Sequence, residues 1–144
     1  MEHIAIMNKS WKLIDKILAG EKTIESRWYK MKRAPWNIVK SGDIIYFKDA
    51  GDLVSARAVV DKVLQIEIND TILEKILDKY SSSICFRDTK DNVFNWAKDK
   101  KYCILMFLKF PEKIEKFEID KTGYGIGCAW ISVDSVDSLR KKNI

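Results

Sequence analysis

Apolar positions along this chain repeat with two periods, and each change of period marks a change of element. Leu13, Ile14, Ile17 and Leu18 share one face at helical spacing, while Lys12, Asp15 and Lys16 fall elsewhere. This predicts a helix opened by Asn8 or Ser10 and running to about Ala19, with Gly20 as the positive-φ residue that ends it. Ahead of it, the β-branched content of Glu2 to Met7 suits a first strand. After it, residues 23–30 read as a strand with Thr23, Glu25, Arg27 and Tyr29 on one face and Ile24, Ser26 and Trp28 on the other. Pro35 stops regular structure, and Ser41-Gly42-Asp43 turns the chain into a strand from Ile44 to Lys48.

The turn at residues 49–52 leads into a long strand from Leu53 to about Ile68, in which Val54, Ala56, Ala58 and Val60 oppose Ser55, Arg57, Val59 and Asp61. Asn69 or Asp70 caps a second helix with the stripe Ile72, Leu73, Ile76, Leu77 and Tyr80, which Ser81-Ser82-Ser83 is expected to break. Residues 91–101 fit a short helix carrying Val93, Phe94 and Trp96, or a loop. Tyr102 to Phe110 is the most apolar run and reads as a central strand ended by Pro111. Ile114, Phe117 and Ile119 mark a further strand. The alternating glycines Gly123, Gly125 and Gly127 form a turn before a last strand, Cys128 to Val133, and Asp134 or Ser135 caps a closing helix to about Lys141.

Several short strands and a few helices on hairpin-scale connections, without a linker or repeat, describe one domain over residues 1–144. Its class is α+β or mainly β: a small antiparallel or mixed barrel with peripheral helices, not a doubly wound sheet. A chain of 144 residues is long enough to bury a core without staples.

Composition adds little until it is localised. The formal net charge is +5, and the stretch from Lys22 to Lys40 sets six cations (Lys22, Arg27, Lys30, Lys32, Arg33 and Lys40) against Glu25 alone, so the remainder sums to zero. No apolar run approaches the roughly 18 residues that span a bilayer, and Met1-Glu2-His3 does not open a signal peptide, so the expectation is a cytoplasmic protein without membrane contact. Cys85, Cys103 and Cys128 are widely spaced and accompanied by one histidine, His3. That favours free thiols over a disulfide framework or zinc site, and no metal or cofactor is expected. From local sequence, His3 has no serine or cysteine with which to build a triad.

The candidate chemistry lies between residues 20 and 36. Glu25 and Arg27 point the same way on a strand beginning near Thr23, and Lys22 sits at the bend before it. Lys22 and Glu25 could form an acid/base pair in a dry cleft; the lysine could instead anchor a phosphate, or the cluster could be a surface ion pair worth about 1 kcal/mol. Arg27, Trp28, Tyr29, Lys30, Lys32, Arg33 and Trp36 interleave cations with aromatics, which suits single-stranded nucleic acid as well as it suits a solvated edge with core anchors. Tyr124 and Trp130 could stack on a base. The glycines beside Tyr124 lack a phosphate-loop spacing and read as a plain turn.

Gly20, Lys22, Glu25 and Arg27 match the G-x-K-x-x-E-x-R signature of ASCH domains, PUA-like β-barrel modules associated with RNA. The likeness covers Ile4 to about Val63 and continues weakly to the strand at residues 128–133. It implies a PUA-like barrel with a cleft beside the motif that binds RNA or a modified nucleobase. Lys22 and Arg27 would contact phosphate or base edges, Glu25 would orient them, and Trp28, Tyr29 or Trp36 would stack; opposite strand faces put at most one of Trp28 and Tyr29 in the cleft. Some members resembling this chain are N4-acetylcytidine amidohydrolases that use a lysine, a threonine and a distant glutamate. Lys22 matches that lysine, but Glu25 fills the threonine's slot, which removes the nucleophile and leaves Glu25 to activate a water. Other members are reported as ribonucleases. The resemblance therefore implies an RNA- or nucleobase-binding domain, with a hydrolase using Lys22 and Glu25 as the alternative. A third reading is an interaction module whose basic edge meets an acidic protein.

Overall fold

The computed structural model describes residues 1–142. Six strands, β1 (Glu2–Met7), β2 (Ile24–Tyr29), β3 (Ile44–Asp49), β4 (Val54–Glu67), β5 (Tyr102–Phe117) and β6 (Trp130–Val133), form one sheet in the order β2-β5-β4-β3-β1-β6. Only β1 and β3 pair in parallel; all other neighbours are antiparallel. The sheet curls into a half-barrel. Its edges, β2 and β6, do not pair with each other, and a seam opens between them.

Two long strands produce the curl. Between β4 and β5 the register shifts three times, and each such bulge adds local twist. Pro111 lies inside β5 instead of ending it, so the expected further strand is the second half of the same strand. Phe110 takes φ 53° where the register slips between Arg57 and Val59. β2 pairs with β5 only as far as Phe107, so Pro111 withholds no ladder hydrogen bond on that side.

Even-numbered Ala56, Ala58 and Val60 of β4 face the barrel interior with Ala5, Ile45, Phe47, Ile104 and Met106. The helix α1 (Leu13–Leu18) plugs this interior with Leu13, Ile14 and Ile17. It is shorter than expected. Asn8 caps a 3-10 turn at Lys9–Trp11, and Lys12 at φ 56° re-aims the chain before the helix starts. Gly20 ends the helical segment at φ 78°.

The other face of β2 and β5 is covered by α2 (Asp70–Ile84) and α3 (Lys90–Ala97), capped by Asn69 and Thr89. The serine run does not break α2. Leu77 and Ile84 bury on either side of it, and that burial outweighs the weak helix preference of serine. The closing element is a 3-10 turn at Val136–Leu139 capped by Ser135, not a longer helix.

At the end of the interior, His3 is fully buried between two partners: Nε2 lies 2.8 Å from Asp43 Oδ2 and Nδ1 lies 2.8 Å from Ser132 Oγ. Long-range pairing thus builds a serine–histidine–aspartate chain that local sequence could not reveal. Its surroundings are structural. Trp130 Nε1 donates to Ser132 Oγ at 3.1 Å, and Asp43 also receives the Lys40 amide and the N-terminal ammonium.

Burial lowers the His3 imidazole below its ordinary value, against the pull of Asp43. The Asp43 carboxyl is lowered too, because hydrogen bonds from His3, Lys40 and the N-terminus outweigh its burial. Both groups bind protons more weakly folded than unfolded. Stability is therefore full above about pH 6.5, the unfolded histidine value, and falls as pH drops, first through His3 and then, below about pH 3.9, through Asp43. The urea midpoint is expected to fall between pH 7.5 and pH 5, and His3→Gln should flatten that segment. An equal slope in the variant would contradict the assignment.

Candidate functional site

A cavity of about 890 Å³ occupies the seam. Its walls are β2, the ends of β1 and α2, the chain entering α1, α3, and the segment 127–130 that leads into β6.

Lys22 lies just before β2 and is 2% exposed. Its Nζ donates to the carbonyls of Ile24 and Ile84, both at 2.7 Å, and stands 3.4 Å from Glu25 Oε1. Two of the ammonium's three N–H donors are taken by carbonyls, and its charge is paired with the carboxylate. Ile84 closes α2, so the lysine also caps the negative end of that helix. The Thr23 amide donates to Ser83 O at 3.0 Å beside it. Lys22 is a clamp between α2 and β2.

Glu25 is 4% exposed, and both its oxygens are engaged: Oε1 accepts the Ser26 amide at 3.0 Å, and Oε2 accepts Arg27 Nη2 at 3.2 Å. Burial pushes its carboxyl up, but the charges of Lys22 and Arg27 and these hydrogen bonds outweigh it and hold the group below the usual glutamate value. Arg27 reaches across the seam. Its Nη1 donates to Ala129 O at 3.2 Å, and its guanidinium lies 5.1 Å from the centre of the Trp130 ring. One arginine thereby ties together two sheet edges that share no backbone pairing.

Thr23 and Tyr29 turn their carbonyls toward β5. Alternation therefore turns the backbone of Ile24, Ser26 and Trp28 toward the seam. Lys22 takes the Ile24 carbonyl and Glu25 the Ser26 amide, leaving the Ser26 carbonyl and the amide and carbonyl of Trp28 on the open edge of the strand, at two residues that line the cavity.

Of the residues singled out in the sequence, Lys22, Glu25, Arg27, Trp28, Tyr29, Arg33 and Trp130 line this cavity. Trp28 and Tyr29 do project from opposite faces of β2, into different cores. The cavity wraps round the strand edge and touches both. Four others lie elsewhere. Lys30 pairs with Asp99 at 3.1 Å, Lys32 stands 3.9 Å from Glu67, Trp36 packs edge-on against Tyr102, and Tyr124 is exposed in the glycine turn.

The sequence reading missed Trp11, Phe86, Arg87, Asp88, Asn92 and Trp96, which complete the walls. Trp11 and Trp96 are 45% and 51% exposed. Trp96 meets Trp28 edge-on at 6.1 Å, and Arg87 Nη1 donates to Ser10 O at 3.4 Å across the rim. Cys85 and Cys128 also line the cavity, whereas Cys103 is buried and its thiol pushed up by burial. Among the described residues, no three His, Cys, Asp or Glu side chains gather to hold a metal ion.

No family model matches the chain, and no curated protein matches it. Solved structures do. An ASCH protein from Zymomonas mobilis superimposes with a TM-score of 0.68 at 12% identity, covering 98% of this chain and 96% of its own. A single-residue variant of that protein gives the same score over 97% and 99%. This chain has the ASCH fold. A hypothetical protein, PH0355, aligns with a TM-score of 0.51 at 20% identity, over 79% of this chain and all of its own. In the ASCH fold seen here, the mixed six-stranded half-barrel agrees with the sequence expectation of a PUA-like barrel with peripheral helices. No helix among the described residues is long and apolar enough to cross a membrane.

Proposed function

We propose that the seam cavity binds an unpaired base of RNA or of a nucleotide-like ligand. The observation that carries this reading is the pair of half-exposed tryptophans, Trp11 and Trp96, on the wall of a cavity that also holds Arg27 and Arg87. Lys100 Nζ stands over the Trp96 ring at 5.3 Å, and for the aromatic surface of Trp11 and Trp96 that stays exposed a base offers a matching π-face. The Ser26 carbonyl and Trp28 amide supply an acceptor and a donor for a base edge, and the arginines supply charge for phosphate.

The alternative is a hydrolase in which Lys22 and Glu25 exchange protons. Their geometry favours binding instead. Lys22 is committed to two carbonyls and a carboxylate, and a glutamate held below its usual value is a poor general base at neutral pH.

The test is titration with short single-stranded RNA at low and moderate salt, with product analysis of the same samples. Saturable binding is expected, with log K falling by about 0.7 per contacted phosphate for each decade of salt, and with intact RNA recovered. Absence of binding at low salt would refute the proposal. RNA cleavage that disappears in Glu25→Gln while the variant's Tm stays at the wild-type value would establish the hydrolase.

A further inference from the structure

Lys48 is a charged side chain with a buried stem and no protein partner among the described residues. It lies on β3, 7% exposed, and among the described residues its Nζ has neither a hydrogen bond nor an ion-pair partner. The ammonium is not sealed from water: among the described residues the one fully buried side-chain N or O atom without a partner is Asp49 Oδ1, so the Lys48 stem is covered while its Nζ opens to solvent. Lys48 lines a recess of about 420 Å³ whose only other charged lining residue, among the described residues, is Lys121. Lys121 Nζ donates to Cys128 O at 3.3 Å, which holds the second ammonium at the same recess.

Burial and the neighbouring Lys121 charge both lower the Lys48 ammonium, against weaker opposing pulls from Asp52, Asp49 and Glu118. None of those carboxylates lines the recess. Asp52 is paired with Lys9 at 2.9 Å and Glu118 with Lys141 at 3.4 Å. Two like charges converge on one hollow with no counter-charge in its wall. An anion there would relieve both the desolvation of Lys48 and its repulsion by Lys121.

The recess adjoins the seam cavity. The segment from Gly127 to Ala129 lines both, as do Met7 and Asn8. We propose that Lys48 and Lys121 seat a phosphate group of the ligand whose base enters the seam. The preferred ligand is then a phosphorylated nucleotide or an RNA chain, not a free nucleoside. This assignment rests on the base-binding reading of the seam, and the experiment separates the two.

Inorganic phosphate is titrated against the wild type and Lys48→Met, with amide NMR as readout. In the wild type the Gly51 and Gly127 amides should shift saturably, and in Lys48→Met they should not. Methionine retains the aliphatic length and removes the charge, so without phosphate the variant should melt higher than the wild type, with the gap closing as phosphate is added. Binding of a nucleoside and of a short RNA is then compared. Lys48→Met should weaken the RNA about tenfold, the loss of one charge-assisted contact, and leave the nucleoside unchanged.

Absence of a saturable phosphate shift overturns the phosphate seat. RNA binding that is equal in wild type and variant also overturns it, while the seam reading stands. Phosphate binding without binding of either base-bearing ligand overturns the seam reading, and with it the assignment of this phosphate to a nucleotide.

Discussion

Replacing Lys22 with methionine is expected to destabilise the fold by about 3–5 kcal/mol, the cost of breaking a buried ion pair by removing one partner. The carbonyls of Ile24 and Ile84 lose their donor, and Glu25 keeps only the Ser26 amide and Arg27. The adjoining cavity admits water to part of the gap, which places the effect toward the lower end of that range. For a chain of this length it corresponds to a drop in Tm of roughly 10–15 °C. Because the lysine and glutamate are coupled, the double variant with Glu25→Gln should lose less than the two single variants added together, by about 0.5–3 kcal/mol. Additive losses would show that the two side chains act independently. A Tm within about 3 °C of wild type would remove Lys22 from its role as a clamp. For the same reason, loss of activity or binding in a Lys22 variant is not by itself a sign of contact with ligand.

Trp11→Ala and Trp96→Ala are each expected to weaken binding of single-stranded RNA by about 1–3 kcal/mol, or about 5- to 150-fold, the range for a base stacked on an aromatic side chain. Trp11 gives the cleaner case. It stands on a short turn and is nearly half exposed, so its removal costs little core. Trp96 also packs against Trp28, and its loss carries a modest stability penalty that thermal melting would record. Substituting Trp36, which is packed against Tyr102 away from the cavity, should leave affinity within a factor of about 2, since distant sites act independently. Affinity that survives both Trp11→Ala and Trp96→Ala but falls with Trp36→Ala would move the binding surface to the face around Lys32.

The barrel was legible because its strands are one-sided. The alternation in β4 and the apolar run opening β5 assign faces before any coordinates exist. What misled the reading was local chemistry overruled by tertiary structure. Pro111 normally ends a strand, but it lies where β5 has already lost one neighbour. Serines normally weaken a helix, but burial on both sides of Ser81-Ser82-Ser83 carries α2 through. The motif showed that Lys22, Glu25 and Arg27 belong together. It could not show that Lys22 faces the carbonyl end of a helix some 60 residues away, because that contact exists only once α2 packs on β2. Trp11 and Trp96 escaped notice because each sits in a helical stretch where an aromatic normally reads as core; their exposure is a property of the seam. Lys48 likewise looked like an ordinary strand lysine.

The most direct measurement of the central claim is a titration of the uniformly labelled protein with a short single-stranded RNA, following the five tryptophan indole N–H resonances. If the seam takes a base, the Trp11 and Trp96 indoles should shift saturably with one shared affinity, with Trp130 beside Arg27 following, while Trp36 stays in place. Indole shifts confined to Trp36, or no saturable shift at all, would contradict the account.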